Sequence, residues 1–215
     1  MGRRALRRIQ TELDLSHHFK TYDQLPRPWS PELLFGRTAP LELEIGSGKG
    51  LFLCSASQMR PEHDFLGVEI AARYAEYSGL ALAKAERSNA ICVAGDALQL
   101  FNELIPDNSL AAIHVYFPDP WWKSRHRKRR VVRDELARHA ERTLVPGGTL
   151  HFWTDVEEYF HSGVEAILQD SKLEGPFEPP ELPATHDLDY RTHFERRTRL
   201  AGLPVYRSEF RKRVE

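Results

Sequence analysis

Short apolar runs alternate with longer segments of mixed polarity along most of the chain, beginning near residue 41. The runs are bounded by glycine, proline or acidic residues, which is typical of buried strands. Several of the longer segments are rich in alanine, leucine and glutamate, which favour helices. The predicted strands are residues 41–45, 65–70, 90–94, 110–117, 149–154 and 205–210. The predicted helices are residues 51–58, 71–87, 98–104, 132–144 and 156–168.

This alternation predicts an α/β fold in which helices cover both faces of a mostly parallel sheet. Pro146, Gly147 and Gly148 predict a tight turn before the fifth strand. Residues 174–190 are rich in proline and acidic residues and predict an irregular segment. Ligands of such sheets bind beyond the carboxyl ends of the strands, so the residues that follow each strand are the candidates for function.

Residues 1–38 lack this regular pattern and predict a polar N-terminal extension, which leaves residues 39–215 as one domain. Trp29 is a candidate to anchor the extension to the domain. Arginines near the start are not followed by an apolar segment, so the N-terminus does not resemble a secretory signal. No apolar stretch reaches the length of a membrane span, and we expect a cytoplasmic protein.

Composition excludes some classes of protein but does not identify a ligand. The chain of 215 residues has 41% hydrophobic and 28% charged residues, which is typical of a soluble globular domain. Its net charge is −1, so the overall charge does not indicate nucleic-acid binding. Cys54 and Cys92 have no cysteine or histidine at metal-ligand spacing and predict two buried thiols rather than a metal site.

A glycine-rich segment follows the first predicted strand, running from Glu44 to Gly50 and containing Gly46 and Gly48. Glycines there allow a tight turn and a close approach of the backbone to a ligand. A dinucleotide fingerprint would need glycine where Leu51 stands, and the spacing of a P-loop is also absent. The pattern acidic-x-Gly-x-Gly-x-Gly instead resembles the first motif of class I methyltransferases that use S-adenosyl-L-methionine (SAM).

Acidic residues follow the next two predicted strands as well. Glu69 ends the second strand, where a carboxylate can accept hydrogen bonds from both hydroxyls of a ribose. Asp96 follows the third strand, at a position where these methyltransferases contact adenine. Asp96 could equally cap the following helix. Together with the glycine segment, the two residues favour a SAM site over a plain strand-to-helix turn.

A stiff loop follows the fourth predicted strand and holds one carboxylate, Asp119, between Pro118 and Pro120. Proline restricts the backbone and lacks an N–H donor, so we expect Asp119 to have a fixed position. Trp121 and Trp122 follow, and they could stack on a base or simply pack into the core, so we assign them no catalytic role.

A dense run of basic residues comes directly after this loop, between residues 123 and 130. Like charges packed this closely repel one another, and binding to a polyanion explains the run better than a solvated face does. A nuclear-localisation signal is an alternative, but it would not explain the neighbouring Asp119.

The segment Phe117-Pro118-Asp119-Pro120-Trp121 and the basic run closely resemble the bacterial tRNA (guanine-N7)-methyltransferases. Two further segments share this resemblance: residues 154–159, which include Asp155, and residues 192–197. The resemblance runs in order from about residue 41 to residue 210. It implies a Rossmann-like class I methyltransferase fold with a seven-stranded sheet, SAM as cofactor and tRNA as substrate. The family's usual target is guanine 46 of the tRNA variable loop.

The resemblance also implies a role for each matching residue. Asp119 would serve the reaction. The cofactor would contact Glu44, Gly46, Gly48, Gly50, Glu69, Asp96 and Asp119. The guanosine would be held by Lys123, Asp155, Thr192, His193, Phe194 and Glu195, although the family commonly has lysine where His193 stands. The tRNA backbone would bind Arg125, His126, Arg127, Lys128, Arg129 and Arg130.

Three other functions remain as alternatives. A methyltransferase of exocyclic amines carries a related loop, but its second consecutive proline is absent after Pro120. An inactive RNA-binding homologue would not need four acidic residues at strand ends. A nicotinamide dehydrogenase would need glycine at position 51. We expect a monomer or homodimer that needs no obligate protein partner and no metal.

Overall fold

The computed structural model describes residues 9, 12–180 and 190–214 of the chain. The strands are β1 (Phe19–Thr21), β2 (Leu41–Ile45), β3 (Asp64–Glu69), β4 (Ala90–Ala94), β5 (Leu110–Tyr116), β6 (Leu144–Thr154), β7 (Glu174–Phe177) and β8 (Tyr206–Arg211). The helices are α1 (Pro31–Phe35), α2 (Leu51–Met59), α3 (Ala72–Lys84), α4 (Ala97–Glu103), α5 (Asp134–Thr143), α6 (Glu157–Asp170) and α7 (His193–Leu200). Two 3-10 helices cover Tyr22–Gln24 and Ser124–Arg129.

One sheet contains these eight strands, in the order β1-β4-β3-β2-β5-β6-β8-β7. Strands β1 to β6 run parallel, while β8 is antiparallel to both β6 and β7. The chain leaves β2 toward β3 and β4 and later returns to its other side at β5. The carboxyl ends of β2 and β5 therefore border the place where the strand order reverses, which is where α/β sheets bind ligands.

Side chains of the strands enter two different apolar clusters, one on each face of the sheet. Leu43 of β2 packs in the cluster that also buries Phe101 of α4 and Tyr159 of α6. Phe65 of β3 packs in the other, together with Phe52 of α2. Helices thus cover both faces, and the predicted α/β fold with a mostly parallel sheet is confirmed.

The six predicted strands all form, and β2 and β4 have the predicted bounds. The sheet has eight strands rather than the expected seven, because β1 pairs with the outer edge of β4. Residues 174–177, predicted to be irregular, form β7 and pair with β8. The predicted turn at residues 146–148 lies within β6, whose register with β5 shifts between the pairs Leu110–Leu144 and Ala112–Thr149.

Part of the predicted N-terminal extension packs against the domain. Besides the pairing of β1, Trp29 packs against the larger core cluster, as expected of an anchor. A side chain added at Gly79 of α3 would collide with Phe19, so the extension lies directly on α3. The boundary near residue 38 stays a prediction, and the arginines at positions 3–8 lie outside the described residues, as do residues 181–189.

No helix in the described part of the chain has the length and apolarity needed to cross a membrane. Within the same residues, no cluster of three histidine, cysteine or acidic residues could hold a metal ion. Burial raises the pKa of the Cys54 thiol to about 11 and that of the Cys92 thiol to about 12. Both thiols are therefore protonated at neutral pH. Cys92 is buried as predicted, whereas Cys54 is only partly buried.

Candidate active site

Five acidic residues line one edge of the sheet, each at the carboxyl end of a parallel strand. The strands β4, β3, β2, β5 and β6 are neighbours in that order. The acidic residues at their ends are, in the same order, Asp96, Glu69, Glu44, Asp119 and Asp155. Residues as far apart in the sequence as Glu44 and Asp155 thus lie along one edge of the sheet, where the rule for parallel sheets places a ligand cleft.

The glycine segment forms the floor of this cleft. Gly46 and Gly48 have φ angles of +80° and +54°, and a Cβ atom added at either position would meet nothing within 4 Å. Gly50 has a φ of +77°, but a Cβ atom there would collide with Ser78 of α3. The first two glycines therefore keep space open at the ends of β2 and β3, whereas the third allows α2 and α3 to pack closely.

Glu69 holds the glycine segment in place. Its carboxylate accepts hydrogen bonds from the backbone N–H groups of Gly48 at 3.1 Å and Ala71 at 2.9 Å. The side chain is buried, and the two donors belong to the segments that follow β2 and β3. The carboxylate of Glu69 therefore orders the loop, and its contact with a ligand stays a prediction.

Glu44 is buried beside Glu69 without a full set of partners. Among the described residues, its Oε2 atom has no hydrogen-bond partner, and neither has the hydroxyl of Ser47. Burial, together with the negative charge of Glu69, raises the pKa of Glu44 to about 8. A buried polar atom left without a partner costs about 1–3 kcal/mol. Such atoms beside an open cleft are expected where a ligand supplies the missing hydrogen bonds.

Asp96 begins α4 and caps it, since its Oδ1 atom accepts a hydrogen bond from the N–H of Leu98 at 2.9 Å. The alternative role as a helix cap is thus present in the structure. The side chain is also exposed at the cleft edge, so a ligand contact by its other oxygen stays a prediction.

Two residues in the left-handed region bracket Asp119. Phe117 has a φ of +49° and Trp121 a φ of +47°, on either side of the Pro118–Pro120 segment. A residue with a side chain pays of order 1–3 kcal/mol for such a conformation, which persists only where its surroundings hold it. The N–H of Phe117 donates a hydrogen bond to the carbonyl of Trp153 at 2.8 Å. Asp119 itself is exposed to the cleft.

The end of the basic run departs from the prediction. Arg130 was expected to bind RNA, yet its side chain is 6% exposed and its guanidinium is occupied by hydrogen bonds to protein groups. The side chains of Arg125, Arg127, Lys128 and Arg129 are exposed on the 3-10 helix, and Lys123 precedes them, also exposed. The surface cations of the run thus lie beside the loop of Asp119.

The two tryptophans differ in their surroundings. The ring of Trp121 packs edge-on against that of His126 with 5.8 Å between the ring centres, and the guanidinium of Arg129 lies 5.1 Å from the centre of the same Trp121 ring. Trp122 is 67% exposed. Trp121 therefore supports the basic 3-10 helix, and Trp122 leaves an aromatic face open beside it.

Helix α7 brings its first turn to the same loop. The rings of Phe194 and Phe117 lie 5.5 Å apart, and His193 and Phe194 are exposed toward this side. Thr192 caps the helix by accepting a hydrogen bond from the N–H of Glu195 at 2.9 Å. The first turn of α7, which is predicted to bind guanosine, thus contacts the loop that holds Asp119. The two segments are far apart in the sequence.

Glu195 is predicted to hold the guanosine, but its carboxylate is engaged by the protein itself. Its side chain is buried, accepts a hydrogen bond from the N–H of Arg191 at 2.6 Å and forms an ion pair with Arg199 at 2.7 Å. These contacts hold the first turn of α7 in place. Asp155 is half-buried at the end of β6, and burial raises its pKa.

Known proteins resemble the chain along nearly its whole length. A family model described as "Putative methyltransferase" matches residues 38–208. The tRNA (guanine-N(7)-)-methyltransferase of Rhodopirellula baltica is 50% identical over 99% of this chain and 81% of its own. That of Alcanivorax borkumensis is 38% identical over 86% of this chain and 77% of its own. This chain belongs to the tRNA (guanine-N7)-methyltransferase family.

Solved structures of other methyltransferases share the fold of this family member. The 16S rRNA methyltransferase KamB has a TM-score of 0.58 at 17% identity, covering 85% of this chain and 92% of its own. The aminoglycoside resistance methyltransferase NpmB1 has a TM-score of 0.56 at 19% identity, covering 88% and 94%. At such low identity the likeness concerns the fold alone.

Two residues of this family member have positions in the site that sequence reasoning did not identify. The hydroxyl of Ser47 lies between two of the glycines, and its place within the glycine segment was a usable signal. Arg191 lies over the rings of Phe52 and Trp153, at 5.9 and 5.7 Å. No pattern in the sequence indicates those contacts, because all three residues are far apart along the chain.

Proposed function

We propose that this protein transfers the methyl group of SAM to N7 of a guanine in tRNA, giving N7-methylguanosine. The observation that carries the proposal is the 50% identity to a tRNA (guanine-N(7)-)-methyltransferase over 99% of the chain. The cleft supports it, since it collects the expected acidic residues at one edge of the sheet. Guanine 46 of the variable loop is the target that the family resemblance favours.

The residues present fit SAM. The space above Gly46 and Gly48 admits a ligand next to the backbone. Within the part of the chain that the structure describes, Glu44 Oε2 and Ser47 Oγ have no hydrogen-bond partner, so a ligand could supply one. When bound, SAM supplies a methyl group activated by a sulfonium. Because that group is cationic, a cleft lined by carboxylates attracts it. The residues that would hold the cofactor are Glu44, Gly46, Gly48, Gly50, Glu69, Asp96 and Asp119.

The chemistry at guanine requires positioning more than proton transfer. N7 carries a lone pair in the plane of the ring and no proton, so methylation needs no general base. Correct alignment of two reacting groups can lower a barrier by roughly 7–11 kcal/mol in favourable cases. The methylated base becomes cationic, so a carboxylate held nearby stabilises the charge as it develops. Asp119, on its strained and proline-bounded loop, is our candidate for that group.

The tRNA would contact two neighbouring surfaces. The guanosine would be held by Lys123, Asp155, Thr192, His193 and Phe194. The cap that Thr192 forms with the N–H of Glu195 would keep the first turn of α7 in place. The exposed cations beside them would bind phosphates, as basic side chains do in most RNA complexes. These exposed cations are Arg125, Arg127, Lys128 and Arg129, and the half-buried His126 would join them in binding the backbone.

The deciding experiment is methyl transfer from labelled SAM to unmodified tRNA, followed by digestion and mass analysis of the nucleosides. We expect N7-methylguanosine. A base methylated on an exocyclic amine would instead favour the alternative methyltransferase, and SAM binding without transfer to any tRNA would favour an inactive RNA-binding homologue. We further propose that the protein is cytoplasmic, and that it is a monomer or homodimer without an obligate protein partner. Light scattering of the purified protein would test the oligomeric state.

A further inference from the structure

Arg130 joins the loop of Asp119 to helix α6. Its Nε atom donates a hydrogen bond to the carbonyl oxygen of Pro120 at 2.8 Å. Its two terminal nitrogens donate to the carboxylate of Glu158 at 3.1 and 2.6 Å, and one of them also donates to the hydroxyl of Ser162 at 3.2 Å. One side chain therefore spans the loop after β5 and the first turns of α6.

The pocket around this guanidinium is built for it. The group lies over the ring of Tyr159 at 4.5 Å from the ring centre, and Tyr159 is fully buried. The hydroxyl of Tyr159 in turn accepts a hydrogen bond from the N–H of Val132 at 3.1 Å. Arginine suits such a site because its planar fork can serve two acceptors at once, which the ammonium of lysine cannot do in the same geometry.

The two prolines limit the backbone hydrogen bonds that the loop can donate. Pro118 and Pro120 lack N–H groups, so they cannot donate hydrogen bonds to the surrounding protein. The carbonyl that Arg130 contacts belongs to Pro120, the residue between Asp119 and Trp121. It is part of the peptide bond to Trp121, whose φ is +47°. Loss of this hydrogen bond would remove one of the contacts that keep Asp119 and the strained Trp121 in position.

The neighbouring Arg127 differs from Arg130 in the same run. Arg127 is exposed and reaches one oxygen of Glu158 at 3.4 Å, whereas Arg130 is buried and takes both oxygens. An exposed pair of this kind contributes little to stability, so Arg127 is available for phosphate. One basic run thus contains side chains for two purposes.

We propose that Arg130 is a positioning residue for methyl transfer, which holds Asp119 in place by linking Pro120 to Glu158, and that it does not bind RNA. This inference rests on the proposed function for its kinetic consequence. Its structural consequence, an ordered loop, does not depend on which substrate is methylated. The two can therefore be tested separately on the full-length protein.

The kinetic test compares Arg130→Lys with the wild-type protein, with turnover normalised to SAM-binding sites. We expect kcat to fall about 100-fold, as displacements of about 1 Å do in other enzymes, while KM for tRNA stays unchanged. Glu158→Gln, which keeps the size of the side chain, should lower kcat in the same direction and add little to Arg130→Lys. The opposite result would be a higher KM for tRNA in Arg130→Lys at unchanged kcat, with a difference from wild type that shrinks as salt is added. That result would show that Arg130 binds RNA, and it would overturn the proposal.

Two controls separate this effect from general damage. Arg138→Met removes an exposed arginine that pairs with Asp134 and Asp170 on the outside of the domain, and it should leave kcat and KM unchanged. Arg127→Met should, by contrast, raise KM for tRNA in a salt-dependent way, which is the signature of a lost phosphate contact. If Arg130→Lys does not fold, Glu158→Gln alone carries the test, and an unchanged kcat in that variant would overturn the proposal.

Amide hydrogen exchange gives a readout that needs no activity. In Arg130→Lys or Glu158→Gln, the amides of residues 117, 119, 121, 122 and 123 should exchange faster than in the wild-type protein, while those of β5 stay protected. Unchanged exchange in this loop would overturn the tether even if the protein methylates tRNA. Faster exchange in a protein that fails to methylate tRNA would retain the tether and reject the proposed function.

Discussion

The rings of Phe117 and Phe194 pack 5.5 Å apart and join the end of β5 to the first turn of α7. Phe117 also occupies the left-handed region, with a φ of +49°, immediately before the Pro118–Pro120 segment. The loop of Asp119 is therefore supported by α7 at its start and by Arg130 and α6 at its end. Both supports come from parts of the chain that follow the loop in sequence.

Phe194→Ala should weaken this support at little cost in stability, because the side chain is 42% exposed. Aromatic pairs contribute about 0.5–1.5 kcal/mol beyond burial, so we expect kcat/KM for tRNA to fall on the order of ten-fold. Phe177→Ala is the matched control, since that ring is 43% exposed on β7, a strand at the opposite edge of the sheet from β1. Equal kinetic effects of the two variants would contradict a role for the Phe117–Phe194 pair.

Asp119→Asn should lower turnover far more than tRNA affinity. The amide keeps the shape of the side chain but removes the charge that stabilises the cationic base, and decreases of about 10²–10³ in kcat are usual when one such group is removed. Single-turnover rates at saturating SAM and tRNA measure this, and separate titrations report the binding of each. Asp107→Asn changes an exposed carboxylate paired with Arg142 and serves as the control. An unchanged rate in Asp119→Asn would refute the assigned role.

Replacing Arg127 and Lys128 together by glutamine should weaken tRNA binding and reduce its dependence on salt. The slope of log K against log salt should change by about 0.7–0.9 for each phosphate that the variant no longer neutralises. Filter binding at several salt concentrations measures this slope. The same replacement of Arg138 and Lys172, away from the loop, should leave it unchanged. A slope equal to that of the wild-type protein would exclude the exposed basic residues from RNA binding.

In the cofactor-free protein, the contribution of Glu44 to the free energy of unfolding should fall as pH rises from about 5 to 8. Its pKa is about 8 in the folded protein and 4.5 ordinarily, so the folded state binds the extra proton between these values. Stability falls wherever the folded state binds more protons than the unfolded one. Each pKa unit corresponds to about 1.4 kcal/mol.

Glu44→Gln should remove this contribution, because glutamine stays neutral. The melting temperature of the variant, relative to wild type, should be higher at pH 8 than at pH 5, while SAM binding is weakened. Glu165→Gln, an exposed change on α6, should show no such pH-dependent difference. If the difference between wild type and Glu44→Gln is the same at both pH values, the raised pKa is refuted.

Gly46→Ala should weaken SAM binding, whereas Gly36→Ala should not. Both glycines have positive φ angles, +80° and +71°, and at both an added Cβ atom meets nothing within 4 Å of protein. The backbone strain should therefore destabilise both variants similarly, by about 1 kcal/mol. The two glycines differ in position, because Gly46 directly follows β2 at the proposed SAM site, whereas Gly36 ends α1 in the N-terminal segment. Isothermal titration with SAM compares them, and equal affinities would place the cofactor elsewhere.

Six of the strands, five of the helices and the acidic residues at the strand ends could be predicted from the sequence. Periodicity and glycine placement are local properties, so the runs that form β2 and β4 could be delimited to the residue. The rule that parallel strands present their carboxyl ends at one edge then placed Glu44, Glu69 and Asp119 together. The bounds of the strands follow from local patterns, and the clustering of the acidic residues follows from the parallel arrangement of the strands.

Tertiary structure alone decided which charged residues face solvent and which short segments join the sheet. Arg130 and Glu195 look like their exposed neighbours in sequence, but each is buried against partners from another element or turn. The strands β1 and β7 have only three and four residues and form because an open edge accepts them. Burial, edge pairing and the raised pKa of Glu44 all depend on groups distant in sequence, so no local pattern could reveal them.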